Sequence, residues 1–180
     1  MVVRRKHIRA LVEALLEKHD VELGAVPVEK IAKSYGITLR LDEVDNDLSG
    51  FLYRHQKSNS VIIGANKSHH PNRQRFTIAH ELGHYLLHEG ELVHLDSDRG
   101  AFMLNLRHRA SSKGEDNDER EANLFAAELL MPAKFLRQEL EEKDLDILEG
   151  SGFLHKLARK YKVSTEALTF RLANLGYITL

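Results

Sequence analysis

Two histidines four residues apart, with a glutamate directly after the first, are the side chains whose types and spacing can perform chemistry. Residues 80–84 read His-Glu-Leu-Gly-His. On an α-helix, positions four apart differ by about 40° around the axis and about 6 Å along it, so His80 and His84 can bind one metal ion. Glu81 lies on the neighbouring face, within reach of a water molecule at that ion. The pattern predicts a hydrolytic metal site in which Glu81 is the general base.

Such a site needs a third protein ligand, because a hydrolytic zinc ion normally holds three ligands and one water molecule. The next strong helix, predicted over residues 119–130, offers Glu119, Glu121 and Glu128. Glu121 lies beside the apolar face of that helix, and Glu128 is about 10 Å further along the axis, so only one of these two can bind the ion. The residues alone leave this choice open. One zinc ion is predicted, with manganese as an alternative, since histidine and carboxylate ligands accept several divalent ions.

The elements that must position these residues follow from hydrophobic periodicity. Apolar residues at three- and four-residue spacing predict helices over residues 4–19, 28–34, 73–88, 119–130 and 134–142. Alternating or short apolar runs predict strands over 37–41, 51–53 and 61–63, which we interpret as a small antiparallel sheet of three strands. The polar stretch 89–118 predicts a mobile loop over the site, interrupted by an apolar piece at 101–106. The fold class predicted is α+β.

Composition excludes several classes of protein. The 180 residues carry a net charge of −1, which provides no overall field for nucleic acid or an anionic membrane. No apolar run is long enough to span a bilayer, so no membrane partner is predicted. The absence of cysteine removes thiolate chemistry and disulfides, and no secretory signal is visible, so a cytoplasmic protein is predicted.

Two long motifs resemble those of the ImmA/IrrE metallopeptidases. The first is Arg-Phe-Thr-Ile-Ala-His-Glu-Leu-Gly-His-Tyr-Leu-Leu-His at 75–88, and the second is Glu-Arg-Glu-Ala-Asn-Leu-Phe-Ala-Ala-Glu-Leu-Leu-Met-Pro at 119–132. The resemblance implies a minimal thermolysin-like (gluzincin) fold, with a small sheet packed on the motif helix. It implies His80, His84 and Glu121 as zinc ligands and Glu81 as the catalytic residue. It also implies a protein substrate, a helix-turn-helix transcriptional repressor whose cleavage regulates gene expression.

His88 extends the His80 and His84 stripe by four more residues. It can orient a ligand or contact substrate. Equally, a partly cationic side chain suits the carboxyl end of a helix, where the backbone dipole is negative. The sequence does not decide between these readings.

The last 31 residues form a distinct segment in the sequence. We predict a peptidase domain at 1–149 and a helix-turn-helix-like segment at 150–180, with a hinge at the Gly-Ser-Gly of 150–152 and Ser164 capping the last helix. This segment is basic, because Glu166 alone opposes Lys156, Arg159, Lys160, Lys162 and Arg171. The alternative function is therefore a DNA-binding regulator with a structural or sensory metal site, although packing of the segment on the peptidase is favoured.

Overall fold

The computed structural model describes residues 3–43, 48–55, 58, 60–88, 93–97, 115–141 and 151–179. The helices in this part of the chain are α1 (Arg5–Lys18), α2 (Val28–Ser34), α3 (Pro71–Leu87), α4 (Glu115–Leu130), α5 (Ala133–Leu140), α6 (Ser151–Tyr161) and α7 (Thr165–Asn174). The strands are β1 (Ile37–Asp42), β2 (Leu48–His55), β3 (Ser60–Asn66) and β4 (Val93–Ser97). The predicted α+β class and all five predicted helices before residue 150 are confirmed, with ends that differ by a few residues.

The sheet is mixed and has four strands in the order β1-β3-β2-β4. β2 pairs antiparallel with both β3 and β4, whereas β1 pairs parallel with β3. The prediction of three antiparallel strands is therefore wrong in two respects. β3 reverses direction after β2 and inserts between β2 and β1, which makes it parallel to β1. The fourth strand comes from the polar stretch that was predicted as a loop, and residues 98–114 of that stretch lie outside the described part of the chain.

Helix α3 lies at the centre of the fold. It contacts α2, α4 and the two inner strands, β2 and β3. It is buried on most of its faces, as its distribution of apolar residues around the axis predicts. Its first residue is Pro71, and the His70 side chain caps the helix by accepting the Asn72 N–H at 3.2 Å. The Arg75 side chain ties α3 to the start of α2, donating to the Val26 carbonyl at 2.7 Å and to Glu29 at 3.2 Å. These contacts fix the rotation of the helix that carries the motif.

The carboxyl-terminal helices share the core of the rest of the chain. Leu157, Tyr161 and Leu172 are buried in the same apolar cluster as α1 and α4. Ser164 caps α7 as predicted, because its hydroxyl accepts the Ala167 N–H at 3.0 Å. The predicted boundary between 149 and 150 lies outside the described residues, and Gly152 of the predicted hinge lies within α6. Within the described residues, none of the helices has the length and apolar character required to cross a bilayer.

Candidate metal centre

Two imidazoles from α3 and one carboxylate from α4 converge in the centre of the molecule. The Nε2 atoms of His80 and His84 are 3.0 Å apart. Glu119 faces both of them, with one carboxylate oxygen 3.1 Å from Nε2 of His84 and the other 3.4 Å from Nε2 of His80. The imidazoles are buried, whereas the Glu119 side chain is 41% exposed. Of these three side chains, Glu119 is therefore the one in contact with solvent.

These separations fit a tetrahedral metal ion. Ligand bonds of about 2.0–2.1 Å at tetrahedral angles hold neighbouring donor atoms about 3.3 Å apart. The observed distances of 3.0, 3.1 and 3.4 Å bracket that value. Two imidazoles and one carboxylate are also a donor set that hydrolytic zinc sites use. The residues present therefore fit a zinc ion with one position left for water or substrate.

Close packing of α3 on α4 brings the donor atoms together. Gly83 is the contact point, since a Cβ atom there would lie 3.1 Å from the Cα of Ala122 and 3.1 Å from the Phe125 ring. A side chain there would require α4 to shift by a few tenths of an ångström, so glycine suits this close approach. Glu81 is fully buried beside the two histidines on the same helix, where the sequence predicts the general base.

The structure does not bring Glu121 to this group. Its carboxylate instead accepts hydrogen bonds from the Arg4 backbone N–H at 2.7 Å and from the Arg4 guanidinium at 2.5 to 3.0 Å, and it lies 3.3 Å from Nε2 of His88. The hydrogen bonds from the Arg4 side chain are the largest cause that lowers the pKa of Glu121 to about 2, against the opposing effect of burial. A position two residues along a helix is rotated by about 200°, so Glu119 and Glu121 face different neighbours.

Glu128, the other carboxylate considered from the sequence, makes contacts that connect helices. It is buried, with Oε2 2.5 Å from the Arg171 guanidinium and Oε1 accepting the Ala133 N–H at 3.1 Å. It thereby joins α4 to α5 and α7, away from the two imidazoles.

A signal for Glu119 was present in the sequence. Glu119 precedes Ala122 by three residues and Ala126 by seven, so it lies on the same helical stripe as these two buried alanines. Glu121 also flanks Ala122, but on the other side. This stripe is the sequence signal for Glu119, whereas the resemblance to the family motif implies Glu121, and the assignment of the third ligand stays a prediction.

Comparison with known proteins identifies the chain's relatives. The model of the Peptidase_M78 family, described as the IrrE N-terminal-like domain, matches residues 32–173. The chain belongs to the Peptidase_M78 family. The resemblance to the ImmA/IrrE metallopeptidases is thereby confirmed, and this Peptidase_M78 member is a metallo-endopeptidase.

Two relatives extend the comparison over most of the peptidase. Metallopeptidase ImmA of Bacillus subtilis (strain 168) is 34% identical over 171 residues, which cover 95% of this chain and 87% of the relative. Uncharacterized immunity region protein 2 of Bacillus phage phi105 is 27% identical over 147 residues, which cover 79% of this chain and 82% of the relative. Both alignments span at least four-fifths of the relative's length.

Proposed function

We propose that this metallopeptidase uses one zinc ion, held by His80, His84 and Glu119, to hydrolyse a peptide bond in a transcriptional repressor. The observation that carries the proposal is the convergence of three side chains. The two Nε2 atoms are 3.0 Å apart, and the two oxygens of Glu119 lie 3.1 and 3.4 Å from them, separations that suit tetrahedral zinc. Manganese remains the alternative ion. The thermolysin-like (gluzincin) architecture belongs to the proposal, and the central position of α3 against the sheet supports it.

The roles of the residues follow from their positions. A bound zinc ion would acidify a water molecule and polarise the scissile carbonyl. Glu81 takes the proton of the attacking water and passes it to the leaving amine, as a general base and then a general acid. His80 and His84 would bind the ion through Nε2 as neutral imidazoles, because metal binding requires an unprotonated nitrogen. Glu119 supplies the one negative charge among the ligands.

A protein substrate follows from the endopeptidase activity, and its identity as a repressor is the finer proposal. It rests on the resemblance to the ImmA/IrrE motifs and on relatives whose names refer to ImmA and to a phage immunity region. A helix-turn-helix repressor is the proposed substrate, and cleavage would relieve repression. Such a substrate implies that the enzyme acts in the cytoplasm.

The carboxyl-terminal segment at 150–180 is proposed to support the peptidase and not to bind DNA. Two of its basic side chains have acidic partners within the protein: Arg171 contacts Glu128 at 2.5 Å, and Lys160 contacts Glu139 at 2.5 Å. Arg171 is also buried, which removes it from any surface that could meet a phosphate backbone. DNA binding by this helix-turn-helix-like segment is the alternative that the experiment includes.

The experiment measures zinc content and zinc affinity of Glu119→Gln, Glu121→Gln and the wild-type protein. Glu13→Gln, at an exposed position on α1, is the matched control. Loss of a residue that only hydrogen-bonds to a ligand weakens metal binding by up to about 100-fold. We expect the zinc affinity of Glu119→Gln to fall by more than that, and Glu13→Gln to bind zinc as the wild type does. Retention of zinc by Glu119→Gln with loss in Glu121→Gln would instead make Glu121 the third ligand, as the family motif implies.

The same proteins are then co-expressed with a helix-turn-helix repressor encoded near the gene. Cleavage by the wild type and Glu13→Gln, but not by Glu119→Gln, is the expected result. The opposite result would be a protein that binds zinc, cleaves no repressor and binds operator DNA in a zinc-dependent manner. That result would favour a DNA-binding regulator over a peptidase that cleaves a repressor.

A further inference from the structure

His88 occupies the space between a metal ligand and a buried carboxylate. It follows the last residue of α3, and its side chain is only 12% exposed. Its Nδ1 is 3.3 Å from Nδ1 of His84, and its Nε2 is 3.3 Å from Oε2 of Glu121. Nε2 also lies 3.6 Å from the exposed Asp118 carboxylate, a longer contact than the one with Glu121. His88 therefore bridges His84 on one side and carboxylates on the other.

One arrangement of protons satisfies both contacts. If Nε2 of His84 binds metal, its proton is on Nδ1, which can donate only to an unprotonated Nδ1 of His88. The proton of His88 is then on Nε2, where it donates to the Glu121 carboxylate. The hydrogen bonds thus run in a single direction from the ligand to the carboxylate.

Arg4 holds the far end of this series. Its backbone N–H and its guanidinium both donate to Glu121, and its terminal nitrogen also donates to the Leu87 carbonyl at 3.1 Å. The carboxylate and the end of α3 are thereby fixed to the same side chain. From β2, Arg54 adds hydrogen bonds to the carbonyls of His84 and His88, at 2.9 and 3.0 Å.

We propose that Arg4, Glu121 and His88 are positioning residues that fix the orientation and tautomer of His84, and so raise the affinity of the metal centre. The inference rests on the proposed function, since it takes His84 to be a ligand. Histidine ligands depend on such partners, whose loss typically weakens metal binding by about 10–100-fold. Arg4 precedes residues 32–173, which the family model matches, so the outer end of the series lies outside the matched domain.

A second metal ion is the rival reading of the same cluster. Ligand atoms of His88, Asp118 and Glu121 lie within 4.8 Å of one another, which is close enough to hold a cation. The Arg4 guanidinium, however, already contacts both oxygens of Glu121 and supplies the positive charge. A cation would have to displace it.

The test measures zinc affinity of the full chain by competition with a chromogenic chelator. Arg4→Gln, Glu121→Gln and His88→Phe are each expected to lose about 10–100-fold in affinity, whereas Arg5→Gln, at an exposed neighbouring position, is expected to bind as wild type. His88→Gln keeps one acceptor and one donor and should recover part of the loss. The double variant His88→Phe/Glu121→Gln should lose no more than His88→Phe, because Glu121 acts through His88.

A second readout separates positioning from a merely structural role. Long-range ¹H–¹⁵N NMR of the chelator-treated protein reports the tautomer of His84, which we expect to carry its proton on Nδ1 in the wild type. In His88→Phe this preference should disappear. A residue that only stabilised the fold would lower the unfolding temperature and leave the tautomer unchanged.

Each outcome has a defined meaning. The positioning role would be overturned if folded Arg4→Gln and Glu121→Gln bound zinc with wild-type affinity. It would also be overturned if the wild-type chain bound two zinc ions and Glu121→Gln bound only one. If Glu121→Gln does not fold, Arg4→Gln still decides, because the Arg4 side chain is 48% exposed and tolerates replacement. The control for the centre itself is His80→Ala. If His80→Ala loses zinc while the Arg4 and His88 variants bind as wild type, the positioning role alone is refuted. If His80→Ala binds zinc as tightly as the wild type, the proposed centre is refuted.

Discussion

Neighbouring glutamates on α4 have opposite electrostatic surroundings. Glu119 faces two imidazoles, and its side chain is 41% exposed, so its carboxylate remains in contact with solvent. Glu121 is buried against a guanidinium that is always charged, so its charge is already compensated. The proposed metal ligand and the proposed positioning residue are thus two positions apart on one helix.

Replacement of the general base should separate binding from chemistry. Glu81 is not among the three converging donors, so Glu81→Gln should keep zinc affinity close to that of the wild type. Its amide cannot accept a proton, and kcat should fall by about 10²–10⁴-fold, the usual contribution of a positioned base. Zinc titration together with cleavage of a peptide from the repressor checks both expectations. A Glu81→Gln protein that cleaves at the wild-type rate would remove Glu81 from the mechanism.

The contact between Arg4 and Glu121 predicts a pH dependence of stability. The pKa of Glu121 is about 2 in the folded protein, against an ordinary value of 4.5. Because the folded pKa is the lower one, the stabilisation is fully present above about pH 4.5 and is lost as the pH falls towards 2. Urea unfolding of the chelator-treated protein should show Arg4→Gln less stable than the wild type at pH 6, with a smaller difference at pH 3. A difference that stays constant with pH would contradict this origin.

At the scale of elements, the distance between α3 and α4 determines the geometry of the centre. Gly83→Ala would set a Cβ atom 3.1 Å from the Cα and 3.3 Å from the carbonyl oxygen of Ala122, and backbone cannot yield as a side chain can. We expect the free energy of unfolding to fall by about 1–3 kcal/mol, as overpacking does, and zinc affinity to fall as Glu119 moves away. Chemical denaturation and chelator competition measure the two effects.

Gly152 provides the matched control for that substitution. It lies in α6, where an added Cβ atom would meet nothing within 4 Å. Gly152→Ala should therefore stabilise the protein by about 0.5–1 kcal/mol through helix propensity, without an effect on zinc. Equal behaviour of the two alanine variants would show that close helix approach is not what the centre requires.

Local pattern predicted the helices and the two histidines, but not the pairing of strands. The spacing of apolar residues predicts which face of α1 or α3 is buried. The pairing of His80 with His84 follows from their spacing of four residues within one helix. The parallel pairing of β1 with β3 depends on which strand inserts between two others, and no single strand encodes that order. The sequence did not predict that Glu119 faces the two imidazoles, for a similar reason. Whether Glu119 or Glu121 lies towards them depends on how α4 rotates against α3, which is a property of the packed pair.

At the scale of the whole molecule, a buried ion pair connects the carboxyl-terminal segment to α4. Arg171 on α7 donates to Glu128 at 2.5 Å and to the Met131 carbonyl at 3.1 Å. Burial lowers the pKa of Arg171, and the Glu128 carboxylate opposes that effect. Both side chains are nearly inaccessible, so neither charge has water as a substitute partner.

Loss of Arg171 alone should therefore destabilise the entire protein. Among the described residues, Arg171→Met leaves the buried Glu128 carboxylate with only the half-exposed Arg9 guanidinium, 3.8 Å away, as a cationic partner. Breaking a buried pair typically costs about 3–5 kcal/mol in the free energy of unfolding, and the Arg9 contact should reduce that cost. Arg171→Met/Glu128→Gln removes both charges and should be more stable than the single variant. Because α6 and α7 share the core with α1 and α4, circular dichroism should record one transition in urea for all three proteins. Arg159→Met, at an exposed position on α6, is the control and should change stability by less than about 0.5 kcal/mol. If Arg171→Met were as stable as Arg159→Met, the segment would be an appendage free to act elsewhere, and the DNA-binding alternative would regain support.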